Sequence, residues 1–128
     1  MFSKKNKNTI DSLIGISTNI EGNVHFKGGL RIDGHVKGNV IAESGSSSML
    51  VISEKARIDG EVRAAHIVVN GEINGPVFCS ELIELQTKAK ISGDVHYKAL
   101  EMMNGALVSG NLTHEQVAET VLKLAASN

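Results

Sequence analysis

A single cysteine, Cys79, excludes an internal disulfide framework and any cysteine-rich zinc site in this 128-residue chain. Tryptophan is absent, and the aromatics are only Phe2, Phe26, Phe78 and Tyr97. No apolar run approaches the ~18 residues a membrane-spanning helix needs. Residues 1–8 are polar and basic with no apolar stretch behind them, which does not read as a signal peptide and makes an intracellular protein the expectation. The net charge of −1 provides no electrostatic footprint for nucleic acid. One proline and 13 glycines accompany 41% apolar residues. That much glycine argues against a helix bundle, and that much Ile and Val argues against disorder.

What the chain has is a repeat. Apolar–x–Gly–x–apolar occurs as Ile20-Glu21-Gly22-Asn23-Val24, Val36-Lys37-Gly38-Asn39-Val40 and Ile58-Asp59-Gly60-Glu61-Val62. It returns as Ile73-Asn74-Gly75-Pro76-Val77, Ile91-Ser92-Gly93-Asp94-Val95 and Val108-Ser109-Gly110-Asn111-Leu112. Successive copies start 16, 22, 15, 18 and 17 residues apart, and the longest step contains the polar stretch Glu43-Ser44-Gly45-Ser46-Ser47-Ser48. These steps are too short for two-helix repeats and too irregular for a coiled coil.

The aligned columns are chemically consistent. Phe26, Ala42, Ala64, Cys79 and Tyr97 fall in one. The pairs Leu30/Ile32, Leu50/Ile52, Ile67/Val69, Ile83/Leu85 and Leu100/Met102 follow, with Ala56, Ala89 and Ala106 before later copies. Each unit therefore holds two or three strands of alternating, β-branched character. Asp59-Gly60, Asn70-Gly71 and Asn74-Gly75 could serve as hairpin turns of a meander or sandwich. The last two lie only four residues apart, which leaves no room for strands between them. A parallel β-helix, one unit per coil, fits better, because each residue then meets its counterpart one coil later. Five to six coils at ~4.8 Å give a rod core roughly 25 Å long. A left-handed hexapeptide helix lacks its strict six-residue register. Near the end, Thr113-His114-Glu115-Gln116 matches a capping box, and Val117, Ala118, Val121, Leu122 and Ala125 line one helical face. This predicts a short amphipathic helix over about 114–126.

Candidate chemistry is sparse. Cys79 occupies a core column rather than a nucleophile's setting. His25, His35, His66, His96 and His114 read as solvated positions, with Ile41, Arg63 and Phe78 between His25 and His96 in their shared column. Gly71 and Gly75 are not a phosphate loop, and Asp33, Asp59 and Asp94 sit where turns want them. No catalytic, cofactor or metal site is expected. The N-terminal tip is different: Phe2 beside Lys4, Lys5 and Lys7 joins an apolar wedge to a basic cluster and predicts an anchor on anionic lipid. Burying Phe2 gives about 1.5–3 kcal/mol, so one copy binds weakly and many copies bind by avidity. Ile10, Leu13 and Ile14 could extend this anchor or begin the first coil.

The chain resembles the bactofilins. The resemblance rests on Met1-Phe2-Ser3-Lys4-Lys5, on Thr18-Asn19-Ile20-Glu21-Gly22-Asn23-Val24, on the stretch from Gly28 to Gly38, and on the glycine ladder after it. It implies a right-handed parallel β-helix that polymerises without nucleotide, through head-to-head and tail-to-tail joints. The filaments would lie on the inner face of the bacterial cytoplasmic membrane and support cell-wall or morphogenesis proteins. The predicted division is a flexible membrane-targeting tail at 1–15, the β-helix core at 16–112 and the C-terminal helix at 113–128. A rod with open ends needs apolar residues there, and Phe26, Leu30 and Ile32 at one end and Leu100, Met102, Leu107 and Leu112 at the other are the candidate polymer interface. The alternatives are a β-helix adaptor that does not polymerise and a β-helix polysaccharide lyase or acyltransferase. The last would need charged and aromatic residues converging on one face.

Overall fold

Short runs of alternating β-branched residues, each ended by glycine or a polar turn, can bury one side only by stacking on further runs of the same kind. The chain does this six times. The computed structural model describes residues 10–45 and 47–115. They form a parallel β-solenoid of six coils, with three short strands in each coil.

The first coil is β1 (Ser12–Ile14), β2 (Asn19–Glu21) and β3 (Val24–Phe26), and the second is β4 (Gly29–Ile32), β5 (His35–Lys37) and β6 (Val40–Ala42). The third holds β7 (Met49–Ile52), β8 (Arg57–Asp59) and the start of β9 (Val62–Val69). The end of β9 opens the fourth coil, followed by β10 (Glu72–Asn74) and the start of β11 (Val77–Leu85). The fifth is the end of β11, β12 (Lys90–Ser92) and β13 (Val95–Tyr97), and the sixth is β14 (Ala99–Met102), β15 (Leu107–Ser109) and β16 (Leu112–His114). Every strand pairing is parallel, so Asn70-Gly71 and Asn74-Gly75 are corners rather than hairpin turns.

The pairings define three faces. β1, β4, β7, the end of β9, the end of β11 and β14 make the first. β2, β5, β8, β10, β12 and β15 make the second. β3, β6, the start of β9, the start of β11, β13 and β16 make the third. β9 and β11 run round the corner between third and first faces, with a register shift between Cys79 and Leu82. The register aligns like with like: Val36, Ile58, Ile73 and Ile91 stack in one inward column, and Val40, Val62, Val77 and Val95 in another. All eight are buried. Ala56, Ala89 and Ala106 are buried at the corner before the second face.

The glycine column is demanded by the stacking. At Gly75 φ is +154°, and an added Cβ would lie 2.6 Å from the carbonyl carbon of Gly60 one coil below. The coils approach too closely there for any side chain.

Two predicted boundaries move. The tail assigned to 1–15 ends earlier, because β1 pairs residue for residue with β4 and Ile14 packs on the core. The core assigned to 16–112 continues through β16, where Thr113 and His114 pair with His96 and Tyr97. The apparent capping box therefore begins in a strand. Parallel pairing occupies backbone groups that a helix would have used, and the Glu115 amide donates to the Tyr97 carbonyl (2.6 Å). The rest of the predicted helix, from residue 116, lies outside the described residues.

Candidate functional site

A closed stack satisfies its backbone everywhere except at its two ends. Among the described residues, β1, β2 and β3 each pair on one side only, as do β14, β15 and β16. Each end thus presents three open strand edges around unfinished core columns, the feature that ordinary monomers cover.

At the C-terminal end Leu100, Met102, Leu107 and Leu112 lie in the sixth coil. Met102 is 46% exposed, Leu107 58% and Leu112 43%, while Leu100 is half-buried. Leu107 differs from the other three in direction. It continues the outward column of Arg57, Glu72 and Lys90, and its neighbour Val108 carries the core column. Val108 was not among the predicted residues, although its place in the last glycine copy marks it.

At the other end one expectation stands corrected. Leu30 and Ile32 are 3% and 0% exposed, because β1 lies over them, Ser12 opposite Leu30 and Ile14 opposite Ile32. They belong to the second coil and cannot meet a partner while β1 is in place. Phe26 does lie in the first coil, half-buried, together with Ile14, Ile20 and Val24. The first glycine copy, Ile20 to Val24, signals two of these. The other, Ile14, the sequence left open between the anchor and the first coil, because Ser12 beside it is a polar residue in the leucine column. Phe2, Lys4, Lys5 and Lys7 lie outside the described residues.

The remaining polar groups hold the coils together. Asp59 accepts hydrogen bonds from Asn74 Nδ2 (2.8 Å) and Arg57 Nε (3.1 Å), and its other oxygen lies 2.8 Å from His35 Nε2. The His35 bond first, then those of Asn74 and Arg57, hold the Asp59 carboxyl down to about 2, against an ordinary 3.8. A carboxyl depressed in the folded state stabilises the fold above its unfolded value and loses that contribution as pH falls from about 4 toward 2. Asp59→Asn is therefore expected to cost about 1 kcal/mol near neutral pH, after solvent screening, and to flatten the stability profile between pH 4 and 2. Urea titrations of both proteins across that range check this; parallel profiles would refute it.

His66 and His96 have carboxylate partners too, Glu84 at 2.7 Å and Glu115 at 2.9 Å. Cys79 lies in the core column opposite Ala64, and its thiol donates to the Ala65 carbonyl (3.2 Å). Burial pushes this thiol up to about 11, so it stays protonated and a poor nucleophile at neutral pH. Among the described residues no group of three His, Cys, Asp or Glu side chains could hold a metal ion, and no helix is long and apolar enough to cross a membrane.

Comparison with known proteins agrees with this architecture. The bactofilin family, described as polymer-forming cytoskeletal, matches residues 12–113, the span from β1 into β16. The chain is also similar to the bactofilin BacO of Myxococcus xanthus (strain DK1622), with 22% identity over 111 residues that cover 87% of this chain and 85% of that protein. No solved structure matches.

Proposed function

The chain belongs to the bactofilin family of polymer-forming cytoskeletal proteins, and from that premise we propose that it assembles end to end, without nucleotide, into non-polar filaments. The observation that carries this reading is the pair of open ends. Stacking one solenoid on another continues the parallel or antiparallel hydrogen bonding of three strands at once and covers Ile14, Ile20, Val24 and Phe26 at one end and Leu100, Met102, Val108 and Leu112 at the other. Joints between like ends are two-fold and isologous, which gives a filament whose two directions are equivalent. The work is structural: the solenoid supplies length and a repeating surface rather than a reaction.

The N-terminal tip sets the location. Phe2 supplies an apolar term and Lys4, Lys5 and Lys7 an electrostatic one, so filaments gather many weak anchors on the inner face of the cytoplasmic membrane. There they serve as a scaffold for cell-wall and morphogenesis proteins and support cell shape.

Electron microscopy and flotation with anionic vesicles, both without nucleotide, test the reading together. Wild type is expected to form filaments and to float, less so at high salt because the lysine term is screened. The Phe2→Glu protein is expected to form the same filaments and stay in the pellet. A requirement for ATP or GTP would overturn the assembly reading, and equal flotation of the two proteins would overturn the anchor.

A further inference from the structure

The first face differs from the second. Through the first five coils the second face points only polar residues outward, as in the column Asn19, His35, Arg57, Glu72, Lys90. On the first face one outward column runs Leu13, Arg31, Val51, Val68, Glu84, Glu101. The column beside it runs Gly29, Met49, His66, Leu82, Ala99. Met49, Val51, Val68 and Leu82 are therefore neighbours on an outer surface, each partly open to solvent. Every residue in both columns is described.

Charge is divided across this patch. Arg31 lies on its N-terminal side, donates Nε to Asp33 and keeps half of its side chain exposed. Glu84 and Glu101 lie on its C-terminal side, with Glu84 beside His66. Arg31 and Glu84 are three rungs apart in one copy, about 14 Å, too far to pair with each other. The corners between first and second faces are uneven in the same sense. They have four residues in the first, third, fifth and sixth coils and two in the second and fourth. A notch of about 530 Å³ bounded by Ile16, Asp33 and Glu54 lies at the short corner of the second coil.

We propose that this face binds the same face of a second copy about a two-fold axis that runs along the strands. Such an axis keeps each column on itself and reverses the order of coils, so the second coil meets the fifth and the third meets the fourth. Arg31 then meets Glu84, Val51 meets Val68, and the side chain of Leu82 meets Gly29, which has none. Both short corners meet long ones. The other two-fold, along the solenoid, sets each coil against its own number and leaves Arg31 opposite Gly29 and Glu84 opposite Leu82, with neither charge paired. Opposite charges and matched steps about one axis single out a second copy as the occupant. The patch measures about 10 Å by 25 Å, roughly 250 Å² per copy, well below the ~800 Å² per partner of a stable complex. Lone solenoids therefore stay apart, and the contact gains its strength by repetition between filaments, where it rests on the filament reading. A filament whose directions are equivalent offers copies in both senses, as the reversed pairing requires.

Charge exchange in the full-length chain tests this by electron microscopy. Wild-type filaments are expected to run in pairs. In Arg31→Glu and in Glu84→Arg the paired fraction of filament length is expected to fall at least fivefold, and in the double variant to recover, with circular dichroism showing all three folded. Single variants that pair like wild type, or a double variant that does not recover, would overturn the proposal. A photo-crosslinking residue in place of Leu82, irradiated at high protein concentration, gives a reading that needs no filament. Its expected product joins position 82 to the tryptic peptide Gly28–Arg31, which in its own chain lies three rungs away and out of reach. Crosslinks only to other parts of the chain, or none, would overturn the proposal. Absence of filaments in wild type would instead count against end-to-end assembly, and the crosslink would still decide the lateral contact.

Discussion

Gly75→Ala is expected to cost on the order of 3 kcal/mol or more, a large share of the roughly 5–15 kcal/mol that holds a domain folded. Two costs add. An alanine must adopt φ near +154°, which L side chains rarely do. Its Cβ must also push against the Gly60 carbonyl one coil away, which is backbone and cannot swing aside. The strands on either side, β10 and β11, would then lose register with β8 and β9. Gly22→Ala is the matched control. Its φ is +133°, but among the described residues no atom lies within 4 Å of the added Cβ, since Gly22 is in the first described coil. Only the conformational cost remains, about 1–3 kcal/mol. Thermal and urea unfolding followed by circular dichroism measures both. Equal losses would mean that backbone conformation alone, and not the approach of the coils, requires glycine in this column.

Met102→Arg is expected to abolish filaments while leaving the solenoid folded. Met102 is 46% exposed at the C-terminal end, so in a free solenoid the guanidinium reaches water. In a joint it is desolvated without a partner, and a cost of about 4 kcal/mol lowers association roughly a thousandfold. Phe26→Arg does the same at the other end, with some loss of stability because Phe26 packs on the core. The size of what remains reveals the geometry. If joints form between like ends, each variant loses one kind of joint and keeps the other, so each is left as a dimer. If joints form head to tail, every joint uses both ends, and each variant is left as a monomer. Sedimentation of the two variants, with circular dichroism to show that they are folded, separates these outcomes. Filaments in both would show that these residues are not in the joints.

The glycine copies made the solenoid legible because stacking makes sequence columns and spatial columns the same thing. Cys79 aligned with Ala64 in sequence and pairs with it in space. His25, Ile41, Arg63, Phe78 and His96 likewise form the column that the spacing predicts. A parallel strand has no freedom to choose another neighbour once the turn lengths are set. Failures occurred where the repeat runs out. β1 has only three residues, with Ser12 where the leucine column would continue, so Leu30 and Ile32 seemed terminal. Thr113 and His114 satisfy a helix-start motif, but β13 offers their backbone a partner, and local preference yields to that pairing.

The amino-acid sequence by itself determined the repeat, its glycine corners, the identity of the core columns and the absence of a helix-bundle or disulfide architecture, since these depend only on the order of side chains along the chain. Only the tertiary structure decided where the stack stops, which way Leu107 faces, that His35 reaches Asp59 across 24 residues, and that the rings of Phe78 and His96 lie face to face beside the exit of the chain at Glu115. Each of these is set by which neighbour is missing at an end or by the rotamers adopted between adjacent coils. Neither is a property of a residue's position in the repeat.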